Sequence, residues 1–492
     1  MMGFWMAIVA MAAATLTGWS LLIFIERFLV ARSTTRHWVE VLGISILLGM
    51  AFTTAGAFAW SYFGGRLNAR FSWVQVIMAL VVGVVRYRVR SRALPLAAKP
   101  VVISPQGPGA LARVCQVAIG IMIALAFAQT LLTPQRFWDE RAIFAIKGRV
   151  LYEAETINAP ELRHPDFVQY HPQYPVLIPL LERHIYALSG EVCDRWAKVW
   201  FPLMYAGLVL SFAGVLSRRF SPDEGWLMST LLATVPILMP DEYGFLCAQA
   251  DAPMACFHGL AVLCLWDGIQ EPPGAARRRG QFLAASFAAT ALFVKDEGKA
   301  YLLVDLIAWG LTLLLKRGRL GTDQAGEGRL RSASRHLAGM IGFALVACTL
   351  VIPWSLHRLS LPTTTEMHYF ERLSVSRLIE QWATLKWSIP HLLHRMFGEW
   401  STWGLPWWLV LIAMVTAPRR CLAGPQLFLL LNLLGALAAF VVAGMLAPAE
   451  LEEHLGGSSH RYLMQLVPVA ILFVAGAWGR PGAGHTSSLN IE

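Results

Sequence analysis

The stretch Pro425–Ala447, PQLFLLLNLLGALAAFVVAGMLA, decides the fold class. It contains no charged residue, and only Gln426 and Asn432 break its apolar character. A helix of this length reaches across the roughly 30 Å of a bilayer's hydrocarbon, where every backbone polar group must be satisfied within the segment. Working outward, comparable apolar runs recur near 3–25, 41–62, 72–85, 113–133, 196–216, 226–240, 252–266, 281–294, 300–315, 337–354, 404–417 and 462–478. With 425–447 they make thirteen expected spans.

Composition agrees. Of the 492 residues, 56% are hydrophobic and only 15% charged, with 19 Trp and 25 Phe; mean hydropathy is +0.52. Soluble domains average about 45–50% apolar and about 25% charged residues. The chain is therefore expected to be an all-α polytopic integral membrane protein. Disorder is excluded, since it requires low hydrophobicity and high charge. The formal net charge of +10 is read as topology, not nucleic-acid binding, because of where the basic residues fall. With the N-terminus outside, the inner segments are 26–38, 86–99, 217–225, 268–280, 316–336, 417–424 and 479–492. They hold 22 of the 41 Lys and Arg residues, as the positive-inside rule requires. Met1–Ile25 lacks the basic start of a cleaved signal and reads as a retained first span. Cleavage near Ala12–Ala14 is the alternative.

The polar length lies on the outer side, chiefly in loops 133–195 and 355–402. The first opens with Phe137-Trp138-Asp139-Glu140-Arg141, and 139–152 reads as an amphipathic helix along the interface. A carboxylate there acts either as a general base towards a hydroxyl or as a helix N-terminal charge favoured by the macrodipole. Then come His164-Pro165-Asp166 and Tyr170-His171-Pro172-Gln173-Tyr174-Pro175, a stiff extended stretch. It leads into 176–187, expected to be re-entrant or interfacial. His164, Asp166 and His171 are metal-ligating types, but their spacing fits no zinc motif. Asp241-Glu242-Tyr243 adds acids to the same side. Asp251 opens a span as a site acid or a cap. Lys295-Asp296-Glu297-Gly298-Lys299 forms a charged turn that needs partners or a polar cavity. Asp305 lies deeper, facing the bundle interior. Glu450, Glu452, Glu453 and His454 precede His460-Arg461-Tyr462-Leu463. Arg461 either pairs with a lipid phosphate or snorkels. The seven Cys show no metal spacing; Cys193 and Cys247 both fall outside, where a disulfide is an open alternative. No P-loop, H-E-x-x-H or G-x-S-x-G is present, which removes nucleotide-driven pumps, zinc proteases and lipases with those signatures.

Trp138-Asp139 with Lys147, then His171-Pro172-Gln173-Tyr174-Pro175 with Pro179-Leu180, resembles the first outer loop of bacterial GT-C glycosyltransferases of the protein-mannosyltransferase and aminoarabinose-transferase type. Ala250-Asp251-Ala252-Pro253, Lys295-Asp296-Glu297-Gly298 and His460-Arg461-Tyr462-Leu463 with Pro468 extend the resemblance over roughly 113–478. Residues 1–112 fall outside it, as an added module of about three spans, and 479–492 form a cytoplasmic tail. The resemblance implies transfer of a sugar from a polyprenyl-phosphate donor to a hydroxyl of an envelope glycan, lipid or protein, on the outer face of a bacterial inner membrane. It assigns Asp139 as the catalytic carboxylate, with Glu140 sharing the role or holding the acceptor. Arg461, Lys147 and Lys295 would bind the donor phosphate. His171, Tyr174, Asp251, Glu297 and His460 would contact substrate. The cofactor is open, a divalent cation included. Alternative functions are a transporter or flippase of lipid-linked sugars, for which Asp305 is the best residue, and a polysaccharide ligase or polymerase of the same fold.

Overall fold

The computed structural model describes residues 2–29, 36–92, 108–239, 242–319, 326–363, 372–447 and 451–480. Among them there is no strand, and ten helices are long and apolar enough to cross a membrane. Sixteen helices are numbered here: α1 (Met2–Leu29), α2 (Trp38–Tyr62), α3 (Ala69–Arg92), α4 (Ala110–Leu132), α5 (Ile146–Glu153), α6 (Leu177–Ser189), α7 (Trp200–Arg219), α8 (Pro222–Ala233), α9 (Asp251–Gln270), α10 (Ala275–Val294), α11 (Glu297–Arg319), α12 (Gly326–Arg358), α13 (Leu385–Gly398), α14 (Pro406–Thr416), α15 (Gly424–Leu446) and α16 (Leu451–Trp478). The protein is an all-α polytopic membrane protein.

Three of the thirteen apolar runs fall outside the ten long apolar helices, and each for its own reason. Run 281–294 lies in α10, whose first turn carries Arg277, Arg278 and Arg279. Run 226–240 breaks at Thr234, where α8 gives way to a 3₁₀ turn at Pro236–Leu238. Run 404–417 forms only the short α14. All three still connect the same two levels as their neighbours. α10 lies antiparallel to α9, with Lys295 beside Asp251 and Gly280 opposite Gly268. Asp223 at the start of α8 accepts from the Ala112 amide of α4, while Pro236 rests on Gly404. The Trp403 ring meets His460, and Thr416 accepts from the Trp478 indole.

Close helix contacts follow small residues, as expected where no hydrophobic force separates helix from lipid. On α1 and α2, Ala14-x-x-x-Gly18 faces Ser45-x-x-x-Gly49, and a Cβ on Gly49 would strike the Ala14 carbonyl. One turn earlier, a Cβ on Gly43 would lie 2.7 Å from the Gly207 carbonyl of α7. The first three helices thus pack into the common core, and 112 marks where the resemblance begins, not a packing boundary.

Charges gather at the two ends of α9, about 24 Å apart along the helix at 1.5 Å per residue. At one end Asp267 and the buried Glu40 of α2 share Arg218, and Arg36 reaches both Glu26 and Glu40. At the other end lies the Asp251 cluster.

Two expected elements differ. The segment 176–187 forms α6, and all of its residues are buried, against α1, α2, α3 and α5. Of the two expectations, burial inside the protein speaks against the interfacial one only: Arg183 there donates to the Leu67 and Asn68 carbonyls of the α2–α3 turn. The last helix starts at Leu451, well before the expected 462. Gly456 and Gly457 are poor helix formers, and contacts of Ser459 and His460 with α13 hold the turn. Asp241 and Glu450 lie outside the described residues.

Candidate active site at one end of the bundle

The site is built on four helix ends. Asp251 opens α9, is fully buried, and takes three donors. Lys295 Nζ is 2.9 Å from Oδ1, Gln465 Nε2 2.9 Å from the same oxygen, and Arg461 Nε 2.7 Å from Oδ2. A buried carboxylate needs such pairing, since desolvation alone costs several kcal/mol. Arg461 spans two acids: its Nη2 lies 3.0 Å from Asp139 Oδ2. Lys295 also reaches Glu297, at 2.7 Å. Above Arg461 lies the Tyr243 ring, 5.7 Å from the guanidinium carbon. Asp139 and Arg461 keep about a quarter of their side-chain surface open and Glu297 about a third, so the cluster meets solvent at these three side chains.

Asp139 owes its position to an irregular turn. Residues Asp139–Ala145 are π-helical and pass into α5, with the Ile146 amide bonding to the Arg141 carbonyl. Such wide turns recur at functional sites. The turn is pinned by Glu140, which is buried. Its carboxylate accepts from the Arg136, Phe137 and Ala248 amides at 2.7, 2.9 and 2.7 Å and pairs with Lys198 at 3.1 Å. Burial alone would raise its pKa. The Arg136 amide, the Lys198 charge and the other two amides reverse that and hold it below the usual carboxylate range. Glu140 therefore ties loop to loop, with both oxygens already engaged.

Lys147 is buried beneath α5. Its Nζ donates to the carbonyls of His171, at 3.1 Å, and Tyr174, at 3.4 Å. Burial lowers its pKa to about 7 despite the opposing Glu182. It anchors the extended loop through these two carbonyls. His171 adopts a left-handed backbone, φ 48°, and stacks on Tyr174 at 4.9 Å. Burial first, then Glu297 and Asp296, raise the Tyr174 pKa against the nearby Lys295 and Arg461 charges. Arg358 draws the same loop in: it donates to Gln173 at 3.1 Å and holds Asp296 with both oxygens, at 2.7 and 2.9 Å.

His460 is adjacent to Arg461 in sequence but points elsewhere, about 100° round the helix. It pairs with Glu399 and sits 3.1 Å from Arg395, joining α13 to α16. His164 and Asp166 are largely exposed and 3.5 Å apart. Among the described residues, no group of three His, Cys, Asp or Glu side chains is placed to hold a metal. In the cluster a guanidinium and an ammonium fill the space between the carboxylates, so its donor set does not fit a divalent cation. Cys193 and Cys247 are both free.

Two site residues escaped the sequence reading. Gln465 lies four residues after Arg461, one turn along the same face, and that spacing was the available signal. Tyr301 donates to Gln465 Oε1 at 2.7 Å and stacks on His258 at 4.1 Å. His258 lies 3.5 Å from Asp305, which accepts from Asn432 at 2.6 Å. A polar chain thus descends from the cluster into the bundle. Its only sequence sign was Asp305.

No protein-family model matches the chain, and no curated protein matches it.

Proposed function

We propose that the protein is a membrane-embedded glycosyltransferase of GT-C type, moving a sugar from a polyprenyl-phosphate donor to an acceptor hydroxyl outside the inner membrane of a bacterium. The observation that carries this reading is the Asp139–Arg461–Asp251–Lys295 array. It joins a solvent-accessible carboxylate to two cations at the ends of apolar helices, the depth at which a lipid phosphate travels.

In this reading Asp139 takes the proton of the acceptor hydroxyl. The acceptor oxygen bonds to the anomeric carbon as the bond to the phosphate oxygen breaks. The departing lipid phosphate gains negative charge, which Arg461 and Lys295 offset in a site of low dielectric. Asp251 and Gln465 hold those cations in place. Arg461 bridges Asp139 and Asp251, so an arriving phosphate competes for it and leaves the Asp139 carboxylate free for the acceptor. Glu140 and Lys147 shape the loops that present Asp139 and Tyr174. No step runs through a metal.

The test is gene deletion complemented with wild type or Asp139→Asn, with envelope glycolipids and polyprenyl-phosphate sugars compared by mass spectrometry. A glycan should lose one sugar mass, a lipid-linked sugar should accumulate, and only wild type should restore both. Full restoration by Asp139→Asn overturns the mechanism. A second reading, transport of a lipid-linked sugar, is favoured by the buried His258–Asp305–Asn432 group, because ionisable residues inside a bundle mark pathways. It requires movement of the lipid across reconstituted vesicles without covalent transfer.

A further inference from the structure

The helix that carries Asp139 has a second face. Trp138, Arg141, Ala142, Ala145, Ile146 and Arg149 follow a helical stripe and line one wall of an open cavity of about 580 Å³. Arg136, Tyr170 and Asp194 complete its polar lining. Arg141 and Arg149 each present a guanidinium there, and Asp194 already accepts from the Tyr186 hydroxyl at 3.1 Å. Arg149 pairs with Glu153 at 2.8 Å, but both side chains are more than half exposed, so the pair holds the arginine weakly. Arg141 has no ion pair among the described residues. The Trp138 indole is 67% exposed at the rim, a large flat apolar face beside the cations.

On the buried side of the helix Gly148 meets Glu182 and Pro179 of α6, and on its outer side lies the arginine-lined cavity. At its start, Asp139 reaches Arg461 of the Asp251 cluster, and its chain neighbour Trp138 lines the cavity. A reaction between a lipid phosphate and a water-side acceptor needs two such compartments with one carboxylate between them.

We infer that the cavity is the acceptor subsite and that it takes a glycan bearing an anionic substituent, a phosphate or carboxylate, near the hydroxyl to be modified. The arginines grip the anion by paired hydrogen bonds, and Trp138 and Tyr170 flank the sugar ring. This assignment rests on the transferase reading, which makes one of the two compartments the acceptor's.

The experiment is direct binding, by calorimetry, to the full-length protein in phosphatidylcholine nanodiscs. The probes are chitotriose carrying one 6-phosphate, plain chitotriose and inorganic phosphate. The phosphorylated trisaccharide should bind at least ten-fold more tightly than either of the others. Arg141→Gln with Arg149→Gln should remove at least ten-fold of that affinity at an unchanged melting temperature, whereas Arg377→Gln, outside the cavity, should not. Equal binding of the two sugars, wild-type affinity in the double variant, or inorganic phosphate binding as tightly as its sugar ester overturns the proposal. So does loss of sugar-phosphate binding when phosphatidylglycerol is added to the nanodiscs, which makes a lipid headgroup the occupant. If Asp139→Asn restores transfer in cells while the arginine variants still lose the probe, the mechanism fails and the anionic-glycan site stands.

Discussion

Lys147 shows how a single buried cation couples the loops to solution conditions. Its proton is held less tightly in the folded chain, at about 7 against the ordinary 10.5, because burial penalises the ammonium and Glu182 only partly offsets this. Below about pH 7 the lysine is charged in both states and the burial cost is complete. Between the two values the unfolded chain binds the extra proton, so stability rises with pH across that window. Glu182, whose pKa burial raises, works in the opposite direction, so the informative quantity is the difference between two proteins. Lys147→Met should reduce the upward slope of melting temperature between pH 7 and pH 10 relative to wild type. An unchanged slope would place the titration elsewhere. The acid Asp139 and its partner Arg461 were legible as residue types on one side of the membrane. Their contact was not, since 322 positions of chain separate them. Nor was the turning away of His460, because adjacent residues on a helix face different partners and the last span is expected to begin only at 462.

Among the elements, the long apolar helices were readable because composition alone distinguishes them. The short ones were not: α8, α14 and the π-helical turn depend on where a neighbour's backbone supplies a contact, and no local pattern encodes that. Segment 176–187 reads as re-entrant or interfacial because it is too short to span and Glu182, Arg183 and His184 interrupt it. The structure satisfies two of those groups internally instead, with Gln135 on Glu182 at 2.6 Å and the Leu67 and Asn68 carbonyls on Arg183. The contact between α1 and α2 is the most exacting of these packings. Gly49→Ala should force the two backbones apart and cost about 1–3 kcal/mol, the usual range for overpacking. Thermal unfolding in detergent checks this, with Gly56→Ala, which has only a side-chain end 3.8 Å away, as the control. Equal melting temperatures for the two variants would mean that the α1–α2 contact adjusts freely.

For the whole molecule, the N-terminal helices bear most directly on how the site is supported. Glu40 on α2 holds Arg218, the Leu67 and Asn68 carbonyls hold Arg183, and Ser61 bonds to Thr156 and Ile157 in the 133–195 loop. Removing residues 1–107 would strand the buried Arg183 and leave Arg218 with Asp267 alone, and breaking even one buried pair costs about 3–5 kcal/mol. The truncated chain is expected to fail to give a monodisperse peak in size-exclusion chromatography. A well-folded truncated protein of unchanged melting temperature would make the first three helices an appendage after all. The sequence separated them because the resemblance starts at 113. Contacts between helices far apart in the chain leave no mark that one sequence displays.

The turn at Asp139–Ala145 has one consequence for how this protein tolerates change. It closes through a bond five residues back, from Ile146 to Arg141, so it holds one residue more than an α-helical turn does. Deleting any one residue between 142 and 145 would let an ordinary helix form and swing Trp138 and Asp139 by about 100° relative to Lys147 and Arg149. The carboxylate would leave Arg461, although every charged group of both compartments would still be present. Here the length of the segment, more than the identity of its apolar residues, is what heredity has to preserve.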